Sequence, residues 1–256
     1  MKMRLLSGAA VFALLYGAAT TPARAAEKEV SFKTKDGWTI HGMLGMPEGV
    51  KGRVPAVVFL HTFAHDSDAY GQYLYPGLAQ ITGGSGFATL RIDFRGRGKS
   101  IGEKELHSFS RQELAKLYMD VSAAIDFLAA QDSIDATRLG IVAEEGSAEA
   151  AVVVWGGDRR VKALVLISGR LDETALKLIA SSPALPLFLI VSKEDREGFR
   201  DMASAYNLTR SEQSIILVYK DVGIGTTMFS VWRSEHPKEK PIEEGIADWI
   251  KERLSR

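Results

Sequence analysis

Two adjacent carboxylates stand where a buried strand gives way to a helix. The apolar run Leu139 to Ala143 ends at Glu144, Glu145 and Gly146, and small residues then lead into a helical pattern. This pattern predicts a strand, a sharp turn and a helix. A carboxylate at the tip of such a turn could act as a nucleophile or as an acid or base. Alternatively, the two glutamates only form an acidic helix start, which the helix dipole favours.

Steric arguments indicate which residue takes the tip. Strand and helix approach so closely there that the residues two before and two after the tip must be small. With Glu145 at the tip, those neighbours are Ala143 and Ser147. With Ser147 at the tip, they would be two long carboxylates, Glu145 and Glu149. A tip at Glu144 would shorten the strand, so we place Glu145 at the tip.

The elements that must position these residues alternate along the chain. Continuous apolar runs predict buried strands, and Asp36-Gly37 predicts a hairpin turn between the first two. The predicted strands are 30–34, 38–46, 56–60, 87–92, 139–143, 161–167, 186–191 and 214–219, and predicted helices include 69–81, 114–128 and 242–250. This alternation predicts an α/β fold with a mostly parallel central sheet, helices on both faces, and a minimal lid or none.

Length and composition limit the possible classes of protein. The 256 residues are 46% hydrophobic, with 32 acidic and 32 basic side chains, which predicts a single domain over residues 26–256 with one substantial core. This balance gives no indication of a nucleic-acid partner. Because the chain has no Cys, it has no disulfide, no thiolate ligand and no cysteine nucleophile. We expect no cofactor.

The first 25 residues have the pattern of a secretory signal peptide. Lys2 and Arg4 precede an apolar run from Leu5 to Ala19, and the segment closes on the small-residue motif Ala23-Arg24-Ala25. The run is shorter than the roughly 20 residues that a spanning helix needs, so a membrane anchor is the weaker interpretation. We therefore expect Sec-type export with cleavage after Ala25, a periplasmic or secreted protein, and no stable membrane insertion after cleavage.

Four segments carry a family resemblance. They are His61-Thr62-Phe63, Asp93 to Ser100 with the pattern Asp-x-Arg-Gly-x-Gly-x-Ser, Arg138 to Ala150 at the turn, and Ser192 to Asp195. From Val30 onward the chain resembles an α/β-hydrolase of the dienelactone-hydrolase or serine-aminopeptidase-like kind, and the second segment is the most specific. The resemblance implies the α/β-hydrolase fold. It also implies a hydroxyl nucleophile, an imidazole base and an orienting carboxylate.

The residues at the implied catalytic positions depart from that pattern. The resemblance assigns Glu145 to the nucleophile position, Asp195 to the acid, and Ile224, which lies between two glycines, to the histidine. Glutamate cannot form an acyl-enzyme by the usual route, and isoleucine has no proton acceptor. Because a triad acts as a unit, these changes predict that Ser-His-Asp hydrolysis is absent. Asp195 is equally consistent with a helix N-cap.

Two catalytic alternatives remain open. Ser147 could serve as the nucleophile, or Glu145 could attack as Asp does in the related haloalkane dehalogenases and epoxide hydrolases, with a histidine activating water. His65 and His107 lie in loops that should open on the same side of the sheet as Glu145. The other three histidines are expected elsewhere: His41 on the second strand, His61 in support of the oxyanion loop, and His236 before the last helix.

The resemblance also implies ligand-binding residues. The amide of Gly146 and one near Thr62 or Phe63 would form the oxyanion hole, and we expect His61 and His65 beside them. A carboxylate at position 145 repels an anion, which favours a neutral or cationic ligand.

A metal site is a further hypothesis. It would combine Glu144, Glu145, His65, Asp66 and Asp195, whose oxygens and nitrogens suit several divalent ions. No tight spacing of the kind His-x-x-x-His supports this hypothesis, and we expect no metal.

The sequence therefore predicts an exported, non-catalytic α/β-hydrolase homologue, a pseudoenzyme whose cleft binds a small molecule, a peptide or a partner protein. The alternative is an esterase-like hydrolase with altered machinery, acting through Glu145 or Ser147. The oligomeric state is left open.

Overall fold

The computed structural model describes residues 27–63, 78, 82, 84–182 and 184–255. The predicted signal peptide, most of the predicted helix 69–81, and the candidate residues His65 and Asp66 lie outside the described residues.

Eight strands form one sheet within these ranges. They are β1 (Glu27–Lys33), β2 (Thr39–Gly45), β3 (Val54–Leu60), β4 (Ala88–Ile92), β5 (Ile134–Glu144), β6 (Val161–Ile167), β7 (Leu187–Ser192) and β8 (Ile215–Tyr219). Their order is β1-β2-β4-β3-β5-β6-β7-β8. The pairs β1–β2 and β2–β4 are antiparallel, and all other neighbours are parallel. The predicted mostly parallel sheet is confirmed.

Seven α-helices are described along their whole length. They are α1 (Arg111–Leu114), α2 (Tyr118–Ala129), α3 (Ala148–Gly157), α4 (Glu173–Ser181), α5 (Arg196–Leu208), α6 (Thr227–Glu235) and α7 (Ile242–Leu254). In the part of the chain that the structure describes, every helix is too short or too polar to cross a bilayer.

The helices cover both faces of the sheet, because side chains alternate along each strand. In β5, Ile141 and Ala143 pack in the layer that contains α2 to α5, whereas Val142 packs in the layer that contains α6 and α7. The described residues between β6 and β7 include one helix, the 9-residue α4.

Two predicted elements differ from the structure. Strand β5 begins five residues before the predicted start at 139, because its first part pairs with Val54 of β3 at Ile134. The predicted helix 114–128 is two helices: the amides of Lys116 and Leu117 bond three residues back, which tightens the chain into a turn between α1 and α2.

Candidate functional site

The turn after β5 positions Glu145. A 3-10 turn, Glu145–Ser147, joins the strand directly to α3, and Glu145 has φ 47°. A non-glycine residue in this left-handed region costs on the order of 1–2 kcal/mol. Such strain concentrates at functional sites. Glu145 therefore occupies the strained tip of the turn.

The carboxylate of Glu145 is fixed from the neighbouring strand. The Thr62 hydroxyl, just after β3, donates a hydrogen bond of 2.9 Å to Oε2 of Glu145. Thr62 is buried, whereas Glu145 is half-buried. The negative charge is thus held at the carboxyl edge of the parallel strands, where ligands bind in open α/β sheets.

Ser147 is in a different situation. It is fully buried, and its Oγ lies 2.8 Å from the carbonyl oxygen of Glu144, 3.2 Å from that of Leu60 and 3.0 Å from the Glu144 amide, which donates to it. This hydroxyl is committed to backbone groups and is closed off from solvent. The geometry therefore does not support the alternative in which Ser147 is the nucleophile.

Glu144 forms the second carboxylate of the site. It is 5% exposed, and its Oε1 accepts a hydrogen bond of 2.6 Å from the amide of Thr226. The pKa of Glu144 is raised to about 7, mainly by burial; the nearby charge of Glu145 contributes to this shift, while the Thr226 amide opposes it. Near neutral pH the Glu144 carboxyl is therefore protonated in part of the molecules.

Gly225 allows the two carboxylates to approach each other. A Cβ atom on Gly225 would lie 2.4 Å from Oε1 of Glu144 and 2.9 Å from Oε1 of Glu145. The two oxygens are therefore separated by no more than the sum of these distances. Any side chain at position 225 would therefore clash with both carboxylates.

The loop after β8 brings no imidazole to this pair. Ile224 is 40% exposed, and its own amide bonds the Thr227 hydroxyl at 3.1 Å. The loop is anchored by its backbone instead, since the Gly225 amide donates to Ser168 Oγ at 2.9 Å and the Thr226 amide donates to Glu144. The position that the resemblance assigned to the histidine is thus a solvent-facing hydrocarbon.

Asp195 caps a helix and pairs with an arginine. Its Oδ1 accepts the Gly198 amide at 3.1 Å, so the N-cap interpretation is confirmed. Both oxygens also contact Arg170, at 2.8 and 2.9 Å. Sequence analysis missed Arg170, which lies 25 residues earlier, beyond the end of β6. Among the described residues, the side-chain partner of Asp195 is thus an arginine and not a histidine.

The described histidines have other partners. His61 is fully buried; its Nε2 accepts the Phe94 amide at 3.2 Å, so its Nδ1 carries the proton and donates to the Thr62 carbonyl at 2.6 Å. His61 therefore supports the loop after β3, as expected. His107 is exposed and lies 3.1 Å from Glu105. The remaining two also lie as predicted: His41 is on β2, and His236 follows α6 and stacks on Trp232.

The Asp93–Ser100 segment holds the strand ends together. Arg95 is buried and forms ion pairs of 2.7 Å with both Asp36 and Asp120. Its hydrogen bonds lower the pKa of Asp36 to about 2. Arg97 donates to the carbonyl of Phe63. This segment thus fixes the hairpin, α2 and the loop that carries Thr62, and sequence analysis missed its two acidic partners.

Phe63 and Gly146, both predicted to bind ligand, are in direct contact. Two ring carbons of Phe63 lie 2.7 Å from where a Gly146 Cβ would be. The ring also packs edge-on against Phe94, at 6.0 Å between centroids. Phe63 and Gly146 line a cavity of ≈ 250 Å³ beside the turn.

The proposed metal ligands do not converge where the structure describes them. Asp195 is bound to Arg170 and Gly198, whereas Glu144 is bound to Thr226. Among the described residues, no three His, Asp or Glu side chains are placed to hold one ion.

The sheet order, the strained strand–helix turn and the helices on both faces define an α/β-hydrolase fold. Alpha/beta hydrolase GrgF from Penicillium sp. sh18 has this fold, with a TM-score of 0.73 and 13% identity over 90% of this chain and 100% of that chain. Dienelactone hydrolase from Anabaena variabilis has a TM-score of 0.71 and 18% identity, covering 90% of this chain and 99% of that chain. The predicted fold is confirmed.

In sequence, the chain is similar to thiohydrolase aneE from Aspergillus aculeatus. The two are 28% identical over 148 residues, which is 57% of this chain and 42% of aneE. The chain thus matches less than half the length of this relative. No protein-family model matches the chain.

Proposed function

We propose that this protein binds a small molecule in the cleft above Glu145 and does not hydrolyse esters through a Ser-His-Asp triad. The observation that carries the proposal is the composition of the turn and the loop facing it. Glu145 is at the strained tip, where φ is 47°, and the facing loop directs Ile224 to solvent. Acyl transfer needs a nucleophile and an adjacent base, and these two side chains supply neither in the usual form.

The rest of the scaffold is retained around this change. Thr62 orients Glu145, His61 supports the loop after β3, and a cavity opens beside Gly146. A preformed cavity with a few fixed polar groups is the usual form of a small-molecule site. These features support ligand binding in the place where a hydrolase would hold its substrate.

A hydrolase with altered machinery is the second candidate function. Glu144, with its pKa of about 7, lies beside Glu145 and could exchange protons near neutral pH. The similarity to a thiohydrolase is in keeping with this alternative. In this case Glu145 would act as the nucleophile and Glu144 as the acid or base.

We also propose that the protein is exported to the periplasm or beyond. The basic start, the apolar run and the motif ending at Ala25 support a cleaved leader. N-terminal sequencing of the protein recovered outside the cytoplasm tests this proposal: a mature chain that begins at Ala26 is expected, and an uncleaved cytoplasmic chain would contradict export.

Hydrolysis of short-chain nitrophenyl esters tests the main proposal. We expect no turnover above background for the wild type or for Ser147→Ala. Turnover that is lost in Glu145→Gln but kept in Ser147→Ala would favour the carboxylate alternative. Turnover lost in Ser147→Ala would contradict both candidates and indicate an ordinary serine hydrolase.

A double substitution examines the assignment of the two positions. If Glu145 and Ile224 occupy the old nucleophile and histidine positions, then Glu145→Ser combined with Ile224→His should produce weak esterase activity that neither single variant has. Equal activity in the double variant and in Glu145→Ser alone would contradict the assignment of Ile224.

A further inference from the structure

The cavity beside the turn has an apolar body. Its ≈ 250 Å³ is enclosed by α1, the start of α2, α3 and the start of α4, and its walls include Phe63, Leu114, Tyr118 and Val153. One water occupies about 30 Å³ in the liquid, so the space suits a molecule with the volume of roughly eight waters. Two aromatic rings and two aliphatic side chains favour an apolar ligand body of about the size of one ring.

The polar side of the same cavity is acidic. Glu149, in the first turn of α3, and Asp172, the N-cap of α4, both line it. No Lys, Arg or His is among its lining residues in the described chain. Neither carboxylate forms an ion pair within 4 Å of a basic side chain that the structure describes, whereas Glu173, the residue after Asp172, pairs with Lys177.

Electrostatics around Glu149 agree with this description. Glu149 is solvent-exposed, yet desolvation by the surrounding protein raises its pKa, and the charges of Asp172 and Asp201 add to that shift, while the Asp172 amide and the charge of Arg111 oppose it. Two carboxylates beside an apolar space repel each other, and no basic side chain that the structure describes forms an ion pair with either of them. A bound cation would relieve this repulsion, whereas an anion would increase it.

We propose that this cavity binds a small organic ammonium ion, with its apolar body between Phe63, Tyr118 and Val153 and its charged nitrogen against Glu149 and Asp172. The inference rests on the proposed function and names the chemical class of its ligand. Aromatic walls contribute further, because the faces of Phe and Tyr rings attract cations.

Calorimetric titration of the purified protein with three ring compounds of equal size tests the charge preference. We expect benzylammonium to bind about five- to ten-fold more tightly than neutral benzyl alcohol, because each of the two solvent-exposed carboxylates contributes a few-fold. Benzoate is expected not to bind. Equal affinity for the amine and the alcohol, preference for benzoate, or no binding of any probe would overturn the proposal.

Two variants locate the binding. Glu149→Gln should weaken benzylammonium binding about three-fold and leave benzyl alcohol unchanged, because only the charge of one solvent-exposed carboxylate is removed. Glu173→Gln is the matched control, since it removes a carboxylate one residue from the cavity lining. An unchanged affinity for the amine in Glu149→Gln, or equal losses in both variants, would contradict the site.

The proposed function and this inference fail in different ways. Ester turnover through Ser147 would end the proposed function whatever the protein binds. If no turnover occurs and benzyl alcohol binds as well as the amine, the cleft is a ligand site of another chemical class, and only the ammonium inference fails.

Discussion

Replacing Glu144 by Gln should remove a large part of the pH dependence of folding. The ordinary glutamate pKa of 4.5 is raised to about 7 in the folded protein, mainly by burial. Between these two values the folded chain holds a proton that the unfolded chain has released, so stability falls as the pH rises. A difference of about 2.5 pH units corresponds to about 3 kcal/mol of unfolding free energy, fully lost above pH 7 to 8.

The glutamine side chain keeps the geometry and removes the ionisation. Its amide oxygen can still accept the Thr226 N–H, and the group stays uncharged at every pH. We therefore expect Glu144→Gln to lie within about 1 kcal/mol of the wild type at pH 5 and to exceed it by up to about 3 kcal/mol at pH 8.

Urea unfolding at pH 5, 6, 7 and 8 measures this effect. Glu212→Gln, at an exposed turn before β8, is the control and should follow the wild-type curve. Glu145→Gln should lower the pH at which half of the pH-dependent stability is lost, because the charge of Glu145 raises the pKa of Glu144. Parallel stability–pH curves for the wild type and Glu144→Gln would refute the reasoning.

Four further substitutions examine the turn and its support. Gly225→Ala should cost about 2 kcal/mol or more in urea unfolding, because φ is 59° and the new Cβ would lie 2.4 Å from Glu144 Oε1; an unchanged stability would show that the loop moves freely. Glu145→Gly should be more stable than Glu145→Ala by about 1–2 kcal/mol, since both lose the carboxylate but only glycine relaxes the strained φ; equal midpoints would contradict the strain. Arg95→Met should destabilise the fold by about 3–5 kcal/mol at pH 8 and by less at pH 5, where the abandoned Asp120 can take up a proton; a loss independent of pH would argue against a buried charge.

The fold followed from the sequence because its signals are local. Alternating apolar runs and helical patterns predict a parallel sheet with helices on both faces. The crowding between strand and helix placed Glu145 at the tip of the turn, and the backbone there has the corresponding positive φ of 47°. The boundaries of β5 and of the α1–α2 pair were predicted less well, since pairing and turn bonds outside the apolar run determine them.

The partners within the site could not be predicted in the same way. Arg170 reaches Asp195 from 25 residues away, and Asp36 and Asp120 reach Arg95 from opposite sides along the chain. No local pattern marks these contacts. The pairing of Glu144 with the Thr226 amide depends on a loop that returns after 82 residues.

One signal in the sequence could have pointed to that pairing. Of the two glycines around Ile224, Gly225 leaves room for atoms from another segment and faces both carboxylates of the turn. Gly225 thus indicated that the carboxylates at the end of β5 pack against the backbone of this loop.

The central claim is that the turn carries a carboxylate and no reactive serine. Intact-mass analysis of the purified protein after incubation with a fluorophosphonate probe tests it most directly. We expect an unmodified wild-type mass, because the Ser147 hydroxyl is fully buried and its hydrogen bonds to the described residues are all with backbone groups. A single adduct that maps to Ser147 and is absent in Ser147→Ala would contradict the account.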